Sequence, residues 1–167
     1  TITGTAKYLK EQNPNIQIWA IDPIGSLLTH YFQTGEVDMA YVHPYIAEGF
    51  GEDFVPANYD MSVIDHFEQV ADKEGALMTR RIAKEEGLFC GYSAGGCLQG
   101  LIQLKDKLKK GDMPVCILHD HGSRYVGKIY NDQWMMERGF LDVKTIREII
   151  RSRGSKKLIT VAPQHTV

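Results

Sequence analysis

The chain has 167 residues and a mass of 18.9 kDa, with 19 Lys and Arg against 21 Asp and Glu, a formal net charge of −2. A single-domain length and 43% hydrophobic residues exclude a disordered or collagen-like chain, and no apolar run approaches the roughly 18 residues of a membrane span. The near-neutral balance argues against a nucleic-acid binder, which would carry a basic face.

In chain order, Thr3 to Glu11 reads as a short helix closed by Asn13-Pro14. Ile16 to Ile21 alternates as a strand and ends at Asp22-Pro23. Residues 34–60 hold Gly35, Pro44, Gly49, Gly51 and Pro56 and are expected to form a long, mostly irregular excursion, a kind of segment that is commonly functional. Ser62 to Val70 is the next strand. Asp72 is expected to cap a helix reaching Glu86, with Ala76, Leu77, Met78, Ile82 and Ala83 inward and Gly87 as its stop.

Leu88-Phe89-Cys90 reads as a short strand feeding a second helix, where Ala94, Cys97, Leu98, Leu101 and Ile102 share a face. Lys105, Lys107, Lys109 and Lys110 follow, where a helix dipole favours cations. Val115 to Leu118 has the composition of a buried strand. This alternation predicts an α/β fold of three layers, a parallel sheet with helices on both faces. A charged helix is expected from Asp142 to Arg153, a polar linker over 152–157, and a new strand from Leu158 that begins another module. A start without methionine and a close on an apolar run lead us to expect a segment of a longer polypeptide.

Two local groups carry candidate chemistry. Gly91-Tyr92-Ser93-Ala94-Gly95 lies between a strand and a helix, where backbone amides face an anion or a polar heteroatom. It satisfies the G-x-S-x-G elbow of serine hydrolases, with Asp120 or Asp132 and then His165 completing a triad order. It equally suits a turn presenting the Ser93 hydroxyl to a cofactor, or a plain helix cap. The elbow is the weaker reading, since no oxyanion segment of the HGGG type lies upstream. His119-Asp120-His121 follows a strand end, the position that borders the ligand crevice of a parallel sheet. It lacks an acidic or cysteine partner spaced to complete a metal site, so no metal is expected.

Elsewhere, the alternate glycines of Glu48-Gly49-Phe50-Gly51-Glu52 suit a close approach of backbone to ligand or a surface turn. Cys90, Cys97 and Cys116 form no close-spaced framework and read as packing residues of a reducing, cytoplasmic environment, without a signal peptide.

Taken together, these segments resemble the fold-type-II, pyridoxal-phosphate-dependent β-replacement enzymes, the cysteine synthase and cystathionine β-synthase family. Thr1-Ile2-Thr3-Gly4 is similar to the end of that family's phosphate loop, G-T-G-G-T followed by I-x-G. Ile21-Asp22-Pro23-Ile24-Gly25-Ser26 matches its next strand end. Glu48 to Pro56 resembles its EGIG-x-x-FIP segment beside the substrate, with Phe50 replacing the usual isoleucine and Glu52 an aromatic residue of the animal enzymes. Gly91 to Gly96 resembles its G-x-S-[SA]-G turn. The run from Ile117 through Asp120, Tyr125, Lys128, Asp132 and Trp134 to Met135 is similar to the tail of the cystathionine β-synthase branch, and 158–167 to the start of a Bateman-type regulatory module.

The resemblance implies that residues 1–151 are the C-terminal part of a catalytic core using pyridoxal phosphate. Ser93 would bond the cofactor's pyridine nitrogen and Thr1 its phosphate, with Gly49, Phe50, Gly51 and Asp120 near the substrate. The lysine that holds the cofactor is expected upstream, so no catalytic lysine is assigned here. The implied reaction condenses serine with homocysteine; the alternative is a cysteine synthase using O-acetylserine and sulfide. A dimer or larger assembly is implied, without nucleic-acid or membrane partners. A serine hydrolase and a catalytically dead binding protein remain the readings of other classes.

Overall fold

The computed structural model describes residues 1–142; the expected charged helix, the 152–157 linker and the 158–167 strand lie outside the described residues. Two strands, β1 (Trp19–Pro23) and β2 (His66–Val70), pair in parallel, with Trp19 opposite His66 and Pro23 opposite Val70. Side chains alternate between the faces of a strand, so each face needs its own cover. On one face Ala20 and Phe67 pack with Leu28 and Phe32 of α2 (Leu28–Thr34) and Ile2 of α1 (Ile2–Gln12). On the other, Ile21 abuts Gly100 of α4 (Tyr92–Gln103), which packs along α3 (Asp72–Glu85). The fold is the expected α/β one, a parallel sheet layered between helices. A last helix, α5 (Asp132–Glu137), seats Met135 in a cluster with Ala76, Tyr92, Tyr125 and Ile129.

Several boundaries move from their sequence positions. The Ile18 amide donates to Asp65 Oδ2 at 2.7 Å and its carbonyl accepts from the Asp65 amide at 2.9 Å, so strand pairing starts only at Trp19. Asp22 and Pro23 end the strand from inside it. Asp22 is buried because its Oδ2 accepts from the Thr29 amide (3.1 Å) and hydroxyl (2.7 Å) at the start of α2; burial still pushes its carboxyl up. The run from Ser62 begins as a turn, Met61–Val63, capped by the Asp60 carboxylate, and becomes a strand only at His66. Helix α2 has no capping residue at its N-cap position, Leu27, and its first amides are taken up by Ser26 and by Asp22; its sequence signal is Leu28 and Phe32 one turn apart, with Gly35 left-handed (φ 74°) at its end.

Four expectations are corrected outright. The cap of α3 is Ala71, with Asp72 already inside the first turn, and Leu77 points outward while Gly75, Met78, Thr79 and Ile82 turn inward. In α4 the buried face is Tyr92 to Gly96 with Gly100, and Ile102 is exposed: small residues allow α3 and α4 to approach until Gly95 meets Thr79. Leu88 to Cys90 forms no strand, only one antiparallel bridge from Cys90 to His121. Val115 to Leu118 is neither strand nor buried among the described residues, and Val115 is 86% exposed. An apolar run becomes a strand only where a neighbour takes up its amides and carbonyls, and among the described residues β2 pairs with β1 alone.

Candidate active site

The sequence turn Gly91-Tyr92-Ser93 starts α4. Gly91 is the helix N-cap, extended at φ −80° and ψ 177°, and no side chain caps the helix. Ser93 is therefore not a capping residue, although it is 3% exposed. Its hydroxyl sits in the first turn, where backbone amides lack intrahelical partners. The turn is held from below by Asp120: the Gly91 amide donates to the Asp120 carbonyl at 3.0 Å, and the Gly122 amide to the Phe89 carbonyl at 3.0 Å. Asp120 Oδ2 accepts from the Tyr125 hydroxyl at 3.0 Å, while Oδ1 is buried against Gly91 without a partner among the described residues.

The 48–56 segment folds as a strap over the same turn. Gly49 and Gly51 both take positive φ, 91° and 80°, as the alternate glycines suggest, and a Cβ at Gly51 would lie 2.7 Å from Pro23 Cδ. The strap is anchored to the end of β1 by Ser26, whose hydroxyl donates to the Glu52 carbonyl (3.2 Å) and accepts from the Glu52 amide (3.1 Å). Between these anchors Phe50 turns its ring onto Tyr92 and Gly96. Beside the strap lies a cleft of about 290 Å³ walled by Ile46, Glu48, Tyr125 and Trp134, with Lys128 ion-paired to Glu48 across it.

The structure thus brings Gly49, Phe50, Gly51, Ser93 and Asp120 to one end of α4. Thr1 is the exposed N-cap of α1, whose next residue, Ile2, packs on the Ala20 and Phe67 face of the sheet. The hydrolase triad does not assemble among the described residues. Asp132 pairs with Arg80, Asp120 with the Tyr125 phenol, and His165 lies outside those residues. His121 caps its own short turn by accepting from the Ser123 amide, and no group of three metal-ligating side chains occurs among the described residues. Cys90 is buried as expected, whereas Cys97 and Cys116 are half-buried; all three are free thiols. Nor is any described helix long and apolar enough to cross a membrane.

A family model described as "Pyridoxal-phosphate dependent enzyme" matches residues 1–120. The chain belongs to that family. Among its relatives, the cystathionine β-synthase of Oryctolagus cuniculus is 38% identical over 142 residues, which are 85% of this chain and 25% of that protein. The cysteine synthase of Helicobacter pylori (strain J99) is 36% identical over 128 residues, 77% of this chain and 39% of that one. The crystal structure of an O-acetylserine dependent cystathionine β-synthase from Helicobacter pylori superposes with a TM-score of 0.66 at 35% identity, covering 78% of this chain and 40% of the other. The chain spans about a quarter to two fifths of the length of these relatives.

Pyridoxal phosphate is the cofactor of this family. The chemistry of the site fits such a group: a buried hydroxyl with no capping duty, in the first turn of a helix where backbone amides lack intrahelical partners. Sequence reasoning missed Asp72, Tyr92 and Tyr125 as site residues. Tyr92 lies inside the recognised motif at its variable position, and only packing reveals what it touches.

Proposed function

We propose that this chain is part of a pyridoxal-phosphate-dependent β-replacement lyase that condenses L-serine with L-homocysteine to cystathionine, releasing water. The observation that carries the reading is the buried, uncapping Ser93 hydroxyl in the helix-start turn on which Phe50 of the strap packs. Bound pyridoxal phosphate supplies the electron sink for labilising bonds at the amino-acid α-carbon. Ser93 is assigned to its ring nitrogen. A neutral hydroxyl, unlike a carboxylate, does not hold a proton on that nitrogen, so the sink is weakened and β-elimination is favoured over transamination. Thr1, at the first amides of α1, is assigned to the phosphate. Gly49, Phe50, Gly51 and Asp120 border the amino-acid substrate, where the strap excludes water.

A second reading, O-acetylserine with sulfide giving cysteine and acetate, is favoured by the similarity to a cysteine synthase and to an O-acetylserine dependent enzyme. Turnover of the full-length protein decides between them. Cystathionine from serine and homocysteine supports the first reading; cysteine from O-acetylserine and sulfide, with serine inert, replaces it by the second. In either case Ser93→Ala is expected to lower turnover while retaining part of the cofactor. A protein that stays colourless with added pyridoxal phosphate, or a Ser93→Ala variant with wild-type turnover, would sink the assignment of Ser93.

A further inference from the structure

Tyr92 is the largest fully buried side chain among the described residues, and the reading of Ser93 gives it no task. Its phenol is shared between two oxygens of Asp72, the backbone carbonyl at 3.0 Å and Oδ1 at 3.2 Å. The other oxygen of that carboxylate, Oδ2, accepts from the Ile46 amide at 2.8 Å. Ile46 leads into the strap, and four residues on Phe50 returns to stack on Tyr92, with ring centroids 6.1 Å apart and planes at 27°. A closed circuit therefore runs from the Ser93 turn through the first turn of α3 and the strap and back to the turn.

Two glycines make the circuit possible. A Cβ at Gly75 would lie 2.8 Å from the Tyr92 phenol oxygen and 3.0 Å from Cζ, and one at Gly96 would lie 2.6 Å from Phe50 Cζ. Both aromatic rings occupy room that side chains would otherwise fill.

We infer that Tyr92 is a positioning residue which, through Asp72 and Phe50, fixes the Ser93 turn and the strap as one unit. Cofactor-side and substrate-side contacts are then set together, and loosening one loosens the other. This rests on the reading of Ser93 as the cofactor contact. A tyrosine that merely filled the core would affect stability alone.

The test uses the full-length holoenzyme with Tyr92→Phe, which keeps the ring and removes the shared hydrogen bond to Asp72. Two quantities are read beside activity: the Kd for pyridoxal phosphate on refilling the apoenzyme, and the KM of the amino-acid donor. Both are expected to rise together by about two- to tenfold, the range of one lost hydrogen bond. Gly75→Ala, which crowds the phenol, is expected to raise both as well, and combining it with Tyr92→Phe to add little. A Tyr92→Phe enzyme that loses thermal stability but keeps both constants overturns the inference, as does a rise in KM alone. Ser93→Ala separates the two levels of the argument. If it raises the cofactor Kd while Tyr92→Phe does not, the inference alone falls; if Ser93→Ala changes neither Kd nor cofactor absorbance, the reading of Ser93 falls with it.

Discussion

Gly91 is constrained by what lies beside it, not by its own backbone angles, since φ −80° is open to any residue. A Cβ there would run into the Asp120 carboxylate and lie 2.7 Å from Tyr125 Cε2. Neither obstacle yields easily, because Tyr125 is buried and holds Asp120 through its hydroxyl. Gly91→Ala is therefore expected to destabilise the protein by about 1–3 kcal/mol, the usual cost of overpacking, read as a lower denaturant midpoint. Shortening Asp120 in the same molecule, Gly91→Ala with Asp120→Ala, is expected to recover part of that loss, a non-additivity that marks direct contact. Fully additive costs would show that Gly91 and Asp120 do not press on one another.

At the scale of elements, the tail after Asp120 is docked by one residue more than any other. Met135, fully buried, reaches from α5 into the cluster of Ala76, Tyr92, Tyr125 and Ile129, while Asn131 caps the helix by accepting from the Trp134 amide at 3.0 Å. Met135→Ala is expected to cost about 2–5 kcal/mol, measured by denaturant unfolding, because the cavity would open under the Ser93 turn, where little can collapse into it. The helices α1, α3 and α4 were legible in the sequence because periodicity and a stop glycine such as Gly87 are local properties. So was the turn at the start of α4, whose glycines and serine sit in one short motif. What was not legible depends on partners distant in the chain. The start of β1 is set by Asp65, the outward turn of Leu77 by the glycine-lined approach of α4, and the exposure of Val115 by the absence of a paired strand among the described residues. Tyr92 is the sharpest case: its role depends on Gly75, seventeen positions earlier, having no side chain.

Across the whole molecule, three tyrosines tie the elements around this turn together, each by donating its phenolic proton, Tyr92 and Tyr130 to residues distant in sequence and Tyr125 within its own loop. Tyr92 donates to Asp72, Tyr125 to Asp120 at 3.0 Å, and Tyr130 to the Cys90 carbonyl at 2.7 Å. Burial pushes all three phenols up, Tyr125 and Tyr130 to about 12, with the neighbouring Asp120 adding to the effect on Tyr125. A tyrosine in an unfolded chain ionises near ~10. A folded value above the unfolded one means that the fold binds these protons more tightly. The contribution of Tyr125 and Tyr130 to stability is therefore complete below about pH 10 and is lost as pH rises from there through about 12, while Tyr92 is raised further still. Alkaline titration should accordingly show two populations of tyrosine by tyrosinate absorbance. The later one should appear together with the loss of helical circular dichroism, because the ionised phenols can no longer donate across the joins. Mutation sharpens the expectation: Tyr130→Phe removes one late-titrating group and its bond to Cys90, and should lower the stability lost over that interval without shifting the early population. If all eight tyrosines instead ionised in a single step near the free value with the helices intact, the phenols would not be holding these segments together.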